Sequence, residues 1–507
     1  MLTFANITKN VIKMKYCRFS VLATMLSAAA LLSFTAGCSI LDDEDKAESE
    51  RIKQLIANDT QYEMKVDLRK EYMDIYYYWN EEVSDRNAKL KAYEYSDIYA
   101  WFDALLYSED RWSWMEDAES FLESETGTST GTWGASLAQA TKYYNDYGVY
   151  VRYILPSSPL AKHGVTRGAQ LRAVAGVEIG DSIDSQEKAD AVNNHLYDTP
   201  NTFTFRLTDG TDVTFTESMT AVTTNYILDK RVFTDADFPG LTEPVGYFNY
   251  YSFNSNFIDD LDEAFAEFKA AGVRKMIVDL RYNGGGSTDA SGRLISYLAP
   301  AGLAGKPYTT RTHNSLLSKY NHTETIGGDD GADISIGLTD LYFIMTSSSA
   351  SASEMVYNGL RPYMGEKLHH VGQQTYGKPN GMYVLPYPDV EDYDKGDYSK
   401  LQYVYYPICF YNKNSEGEEI PSTAAAGSGF VPEQSVPDDI YHDFTPQEEN
   451  IRACLYHIVN GSYPEVDNSH VHTATKAGEG FVCKSVLPEA ETNPHYGKYT
   501  VNLREKN

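Results

Sequence analysis

Apolar residues recur with helical spacing between residues 51 and 123: Leu55 and Ile56, then Met73, Ile75, Tyr76, Tyr77 and Trp79, and later Ile98, Trp101, Phe102, Leu105 and Leu106. That stripe predicts helices with one buried face, so residues 51–126 are expected to form a small helical domain. The polar run Glu125-Thr126-Gly127-Thr128-Ser129-Thr130-Gly131 ends it. Beyond it the period shortens to two in segments such as Gly148 to Ile154 and Thr202 to Leu207. Such alternation marks half-buried strands, and with one helix near Glu187 to Leu196 it predicts a small β-rich domain over 127–220. Strands and helices alternate over 225–460, the pattern of an α/β core. Residues 461–507 lack periodicity and read as a tail.

Ahead of these elements, Lys13 to Arg18 precede an apolar run from Val21 to Phe34 and then Thr35-Ala36-Gly37-Cys38. A basic start, an apolar middle and small residues before a cleavage point make 1–37 a signal peptide. It resembles a bacterial lipoprotein signal in Ala36, Gly37 and Cys38. The resemblance implies cleavage before Cys38 and a lipid on that residue, hence membrane attachment and a place in the bacterial cell envelope, on the outer membrane, periplasmic or surface-exposed. The alternative is a transmembrane anchor, for which the run falls short of the ~20 residues a span needs. Residues 38–50, with Asp42-Asp43-Glu44-Asp45, read as an acidic linker, either an export tether or a solvated spacer.

Composition narrows the field. A 42% hydrophobic share with 41 Tyr against 20 Phe supports packed, sheet-rich cores. The formal charge of −29 and the lack of any Lys/Arg cluster exclude a nucleic-acid partner. Of five cysteines, Cys17 leaves with the signal and Cys38 carries the lipid. Cys409, Cys454 and Cys483 then allow one bridge at most. His369-His370 and His470-x-His472 lack further ligands at metal spacing, so no metal or cofactor is expected.

Three stretches carry chemistry. The strand Met276 to Leu280 leads through Arg281-Tyr282-Asn283 into Gly284-Gly285-Gly286 and a helix from Thr288. A glycine turn there leaves N–H groups free for an oxyanion, or is simply tight. The strand Leu341 to Met345 runs into Ser347-Ser348-Ser349-Ala350-Ser351-Ala352-Ser353-Glu354 and a helix. This presents a Ser Oγ at a helix N-terminus, although Ser351-x-x-Glu354 equally fits a capping box. Finally, Val371 to Lys378 reads as a short strand ending in a lysine. A buried Lys loses its charge readily and becomes a base, whereas an isolated one is normally solvated.

Together, in this order and spacing, the three stretches resemble the C-terminal processing peptidases of family S41, whose core is ClpP/crotonase-like. The resemblance implies a serine endopeptidase with Ser351 as nucleophile, Lys378 as base, and an oxyanion hole from the N–H groups of Ala352 and of Gly284 or Gly285. The segment Leu155 to Val165, with Gly168, Val174, Gly176 and Asp181, resembles a PDZ domain, which that family joins to its core. Trp133-Gly134-Ala135-Ser136-Leu137 would then be the loop that captures the free C-terminus of a protein or peptide substrate. One position departs: many members place Gln four residues after the Lys to orient its amine, and here Met382 stands there. Asn380 or Tyr383 is left as the orienting group. Met382 also sustains a rival, a peptide-binding scaffold of weak or no turnover. A crotonase-like acyl-CoA enzyme is disfavoured by the export signal.

Overall fold

The computed structural model describes residues 43–126, 128–139, 147–223, 226–327, 331–388, 396–422, 428–465 and 499–501. The signal peptide, Cys17, Cys38 and Cys483 therefore lie outside the described residues.

The first helix spans Asp43–Asn58, so the expected linker over 38–50 is helical from residue 43. Its Ala, Glu, Lys, Arg, Gln and Leu residues are good helix formers and favour helix over coil. Further helices include Asn80–Asn87, Ile98–Leu105 and Ala118–Thr126. Ile98–Leu105 begins where Asp97 accepts the Ala100 N–H at 2.8 Å. It buries Ile98, Trp101, Phe102 and Leu105, the stripe its sequence predicts.

This helical region is no separate domain. Its apolar face and that of the core form one continuous cluster that includes Trp101, Phe102, Val278, Leu294 and Phe343. The strand Trp114–Asp117 pairs antiparallel with Tyr403–Tyr406. Asn314 Nδ2 donates to the carbonyls of Ile75 and Tyr77, both at 2.9 Å. Helical periodicity reports a buried face without saying what covers it.

Residues 128–223 do form a unit with its own core. Thr128–Thr132 and Thr220–Thr223 pair antiparallel as a ribbon that brings its two ends together. Between them lies a sheet in the spatial order Ala135–Gln139, Val149–Ile154, Gln170–Val174, Asn201–Arg206, Asp212–Glu217, with Val177–Glu178 paired to the third. Phe203 and Phe205 point into the core while Thr202 stays exposed. The helix Gln186–His195 is capped by Ser185.

The α/β core centres on a sheet ordered Ile227–Phe233, Val245–Tyr250, Lys275–Asp279, Asp340–Met345, Leu368–Gly372, Gln434–Ser435. The first pair is antiparallel and the rest are parallel. Central parallel strands must be covered on both faces. Accordingly Met276, Val278, Leu341 and Phe343 join the cluster under the helices Ile258–Ala270, Thr288–Leu298 and Ala352–Met364. The alternate residues Ile277, Tyr342 and Ile344 pack on the opposite side with the helix Glu449–Asn460.

A second sheet runs Gly286–Ser287, Tyr499–Val501, Asn380–Tyr383, Ile408–Lys413, Pro307–His313, His322–Thr325. The segment expected as a tail thus contributes one short strand. Cys409 and Cys454 are buried and free, in place of the bridge the count allowed.

Candidate functional site

The serine-rich run is bolted to the glycine turn. Thr346 Oγ1 donates to the Arg281 carbonyl at 2.6 Å, Ser349 Oγ to the Leu280 carbonyl at 2.7 Å, and Ser353 Oγ to the Asn283 carbonyl at 2.8 Å. The Ala350 N–H also reaches the Asn283 carbonyl, at 3.3 Å. These hydroxyls satisfy carbonyls at the end of the strand Lys275–Asp279, which no neighbouring strand covers. A run that reads as loop in the sequence is therefore a set of rivets.

Ser351 precedes the helix Ala352–Met364 with φ 59° and ψ −112°. Among non-glycine residues that conformation is costly and persists only where surroundings enforce it. It lifts a side chain out of the strand-to-helix turn, the geometry used to present a nucleophile. The residue is 1% exposed, and its Oγ makes no hydrogen bond among the described residues.

The glycine turn corrects one expectation. The Gly285 N–H donates to Asn283 Oδ1 at 2.9 Å and is not free for an oxyanion. Asn283 is itself anchored through Nδ2 to the Tyr250 carbonyl. The N–H groups of Gly284 and of Ala352, at the first position of its helix, have no partner among the described residues. Gly286 has φ 133°, and a Cβ there would lie 2.0 Å from the Phe253 carbonyl oxygen, so only glycine fits.

Lys378 lies in the loop between the strands Leu368–Gly372 and Asn380–Tyr383 rather than at a strand end. It is 1% exposed. Burial pushes its amine down to about 7, against the opposing pull of Asp110 and Glu354. Nζ sits 3.7 Å from Met382 Sδ. A thioether is a weak acceptor, so the Met382 contact does little to stabilise an ammonium ion. Of the two groups left to orient the amine, the Tyr383 hydroxyl lies 2.6 Å from His313 Nε2. Asn380 is buried and pairs in the sheet opposite Tyr411.

Two carboxylates of the site escaped sequence reasoning. Glu354 reads as a helix cap, yet it also receives the N–H groups of Gly377 and Lys378. Asp110 comes from the N-terminal region, where it accepts the Tyr77 hydroxyl at 2.7 Å and the Trp112 and Ser113 N–H groups. Nothing in local sequence ties Asp110 to Lys378; the spacing of Glu354 from Ser351 was the one available signal.

In the 128–223 unit, Trp133 is a core residue whose Nε1 donates to the Leu196 carbonyl at 2.8 Å. The Gly134 N–H donates to Thr132 Oγ1 at 3.1 Å. Ala135, Ser136 and Leu137 belong to the outermost strand of the sheet, with Ser136 Oγ taking the Arg152 guanidinium at 2.7 Å. Of the five residues expected in a capture loop, three thus stand on a sheet edge, while the Trp133 ring packs inward.

Residues 244–415 match the family model for peptidase family S41. A Staphylococcus saprophyticus protein named as a CtpA-like serine protease is 28% identical over 135 residues, 26% of this chain and 25% of its own. The chloroplastic C-terminal processing peptidase of Tetradesmus obliquus is 28% identical over 137 residues, 27% of this chain and 26% of its own. The aligned stretch thus spans about a quarter of the length of these curated relatives. A solved structure described as an S41 protease from Bacteroides fragilis superposes with a TM-score of 0.59 at 20% identity, covering 77% of this chain and 96% of that one. Residues 244–415 thus carry the likeness to the S41 peptidases, and the superposition on the Bacteroides fragilis structure shows a shared fold.

Proposed function

We propose that the protein is a serine endopeptidase in which Ser351 attacks the scissile carbonyl and Lys378 is the general base. The observation that carries this reading is the pair of buried groups, a serine in a strained turn at a helix N-terminus and a lysine whose amine burial pushes down to about 7. In the reaction, neutral Nζ accepts the Ser351 proton as Oγ bonds to the carbonyl carbon. The oxyanion is received by the N–H groups of Ala352 and Gly284. Lys378 returns the proton to the leaving amine, and water resolves the acyl-enzyme by the same path. Ser351 Oγ is unbonded before substrate arrives, and such contacts commonly tighten only in the complex.

The 128–223 unit is read as a PDZ domain that binds a substrate C-terminus by adding a strand to the edge Ala135–Gln139. The N-terminal signal places the protein in the bacterial envelope through a lipid on Cys38. Met382 beside Nζ favours one competing reading, the same fold without turnover.

The experiment compares wild type, Ser351→Ala and Lys378→Ala on an unstructured protein with an apolar C-terminus, free or amidated. Wild type should cleave, both variants should lose on the order of 10³-fold or more, and amidation should slow wild type about tenfold. Equal cleavage by all three overturns the Ser-Lys assignment. Binding without cleavage by all three selects the scaffold. Because the base must be neutral, the wild-type rate should rise with pH through about 7 and level off above it.

A further inference from the structure

Ser-Lys chemistry requires two residues from different loops to be held at one separation, and the two side chains are not themselves hydrogen-bonded. What joins them is the side chain of Glu354, in the first turn of the helix after Ser351. Its Oε2 accepts the peptide N–H of Ser351 at 3.0 Å and that of Lys378 at 2.9 Å. Its Oε1 accepts Thr375 Oγ1 at 2.5 Å and the Gly377 N–H at 2.7 Å. Resting on the peptidase reading, we propose that Glu354 is the positioning residue of the site, a buried carboxylate that locks the nucleophile turn and the lysine loop into one rigid piece.

A helix cap alone does not account for this arrangement. Capping needs only the Ser351 N–H, yet three of the four donors come from residues 375 to 378. The carboxylate is completely buried, and burial holds its pKa up even against the bonds it accepts from Thr375, Lys378, Gly377 and Ser351. Three of the four partners are peptide N–H groups that can only donate, and the Thr375 hydroxyl, which already accepts the Phe430 N–H at 2.8 Å, can donate the fourth bond. Only the ionised form accepts all four, and bonds to a charged acceptor are the strong ones. The bond to the Ser351 N–H also holds that residue at φ 59°, a conformation that costs about 1–3 kcal/mol when unsupported.

The same charge acts on the base. Glu354 and Asp110 are the carboxylates that oppose the effect of burial on Lys378. The other titratable groups on the strands around it are neutral: burial pushes Tyr383, Cys409 and Tyr411 up and His313 down to about 4. Removing the Glu354 charge therefore has two effects of different kinds. The geometry loosens, and the lysine loses its proton more easily.

The test is the rate at which a fluorophosphonate probe labels Ser351 in the full-length protein, measured from pH 5 to 10. Wild type should rise through about pH 7 to a plateau. Glu354→Gln places an amide against donors on one side, and its plateau should fall about 100-fold, the scale of an ångström-level misplacement, with the midpoint displaced to lower pH. Glu354→Asp keeps the charge but shortens the reach, so its midpoint should stay while the plateau falls about tenfold. A residue that only capped the helix would lower the melting temperature and leave the midpoint in place. A folded Glu354→Gln with the wild-type midpoint and a plateau within about 3-fold overturns the proposal. Should Glu354→Gln not fold, a wild-type plateau in Glu354→Asp overturns it. Wild-type protein that labels no better than Lys378→Ala overturns the Ser-Lys reading itself, and this inference with it.

Discussion

The two regions that precede the core join it in opposite ways. Residues 43–126 bury apolar surface continuously with it: Tyr72, Trp101 and Phe102 sit in the same cluster as Val278 and Phe343. The 128–223 unit has its own cluster around Phe203 and Phe205 and meets the core through buried charge, with ring contacts from Tyr150 and Tyr153 beside it. Arg167, 3% exposed, donates to the Tyr282 hydroxyl at 2.5 Å, the Asp439 carbonyl at 2.6 Å and Asp438 Oδ1 at 3.2 Å. Tyr282 in turn donates to Asp438 Oδ2 at 2.8 Å, and Arg281 spans Asp279, Asp438 and Glu448. Burial works against the charge of Asp438, yet Arg167 and Arg281 hold its carboxyl below the usual range. An apolar seam makes the N-terminal region part of one folding unit. A polar seam between two complete cores adds geometric specificity more than stability.

The largest expected difference lies in removing each region. Deleting 43–126 exposes the face of the core that Trp101 and Phe102 cover, and the remainder should fail to give a soluble monomer by size exclusion. Replacing 128–223 with a short linker is feasible because Thr128 and Thr223 are paired, and it should leave a cooperatively melting core. Comparable melting of both deletions would erase the contrast.

At the level of one residue, Arg167→Ala removes one of the two guanidiniums that hold Asp438 and leaves Arg281 in place, so it should cost about 1–3 kcal/mol in urea unfolding. Arg167→Met fills the same space without charge and should cost less, because burying a guanidinium is itself expensive. Equal losses in the two variants would show that packing, not the charge of Arg167, holds that seam.

The smallest effect tests whether the apolar-seamed region also tunes the site. Asp110 belongs to that region, and its charge favours the protonated form of Lys378. Asp110→Asn should displace the acidic limb of the pH-rate profile below its wild-type position near 7 while leaving the plateau alone. A limb that does not move would reduce Asp110 to its hydrogen bonds with Tyr77 and Trp112.

Much of this was legible in the sequence. The stripe Ile98, Trp101, Phe102, Leu105 and the alternation through Phe203 and Phe205 state their element and buried face directly, because side-chain direction follows from backbone period. The order of strand, glycine turn, serine run and lysine carries the family resemblance, and Ser351 does precede a helix, as that order reads, with a φ of 59° that the order does not announce. Other assignments were made by contacts that local pattern does not encode. Gly285 was expected to offer its N–H, but the Asn283 side chain two residues earlier takes it. Trp133 was expected at a binding loop, and its indole packs into the core of that unit.

The sequence by itself determined which segments of the interior are helix and strand and where the glycine-dependent turn lies. Periodicity, φ restrictions and a short ordered set of polar residues are all local properties, readable along one dimension. Tertiary structure alone decided that the N-terminal helices share the core, that Asp110 acts on a lysine far along the chain, and that one oxygen of Glu354 binds both Ser351 and Lys378. Those facts depend on which surfaces meet. The pKa of Lys378 is the clearest case, since desolvation and the field of distant carboxylates exist only once the chain has closed around the amine.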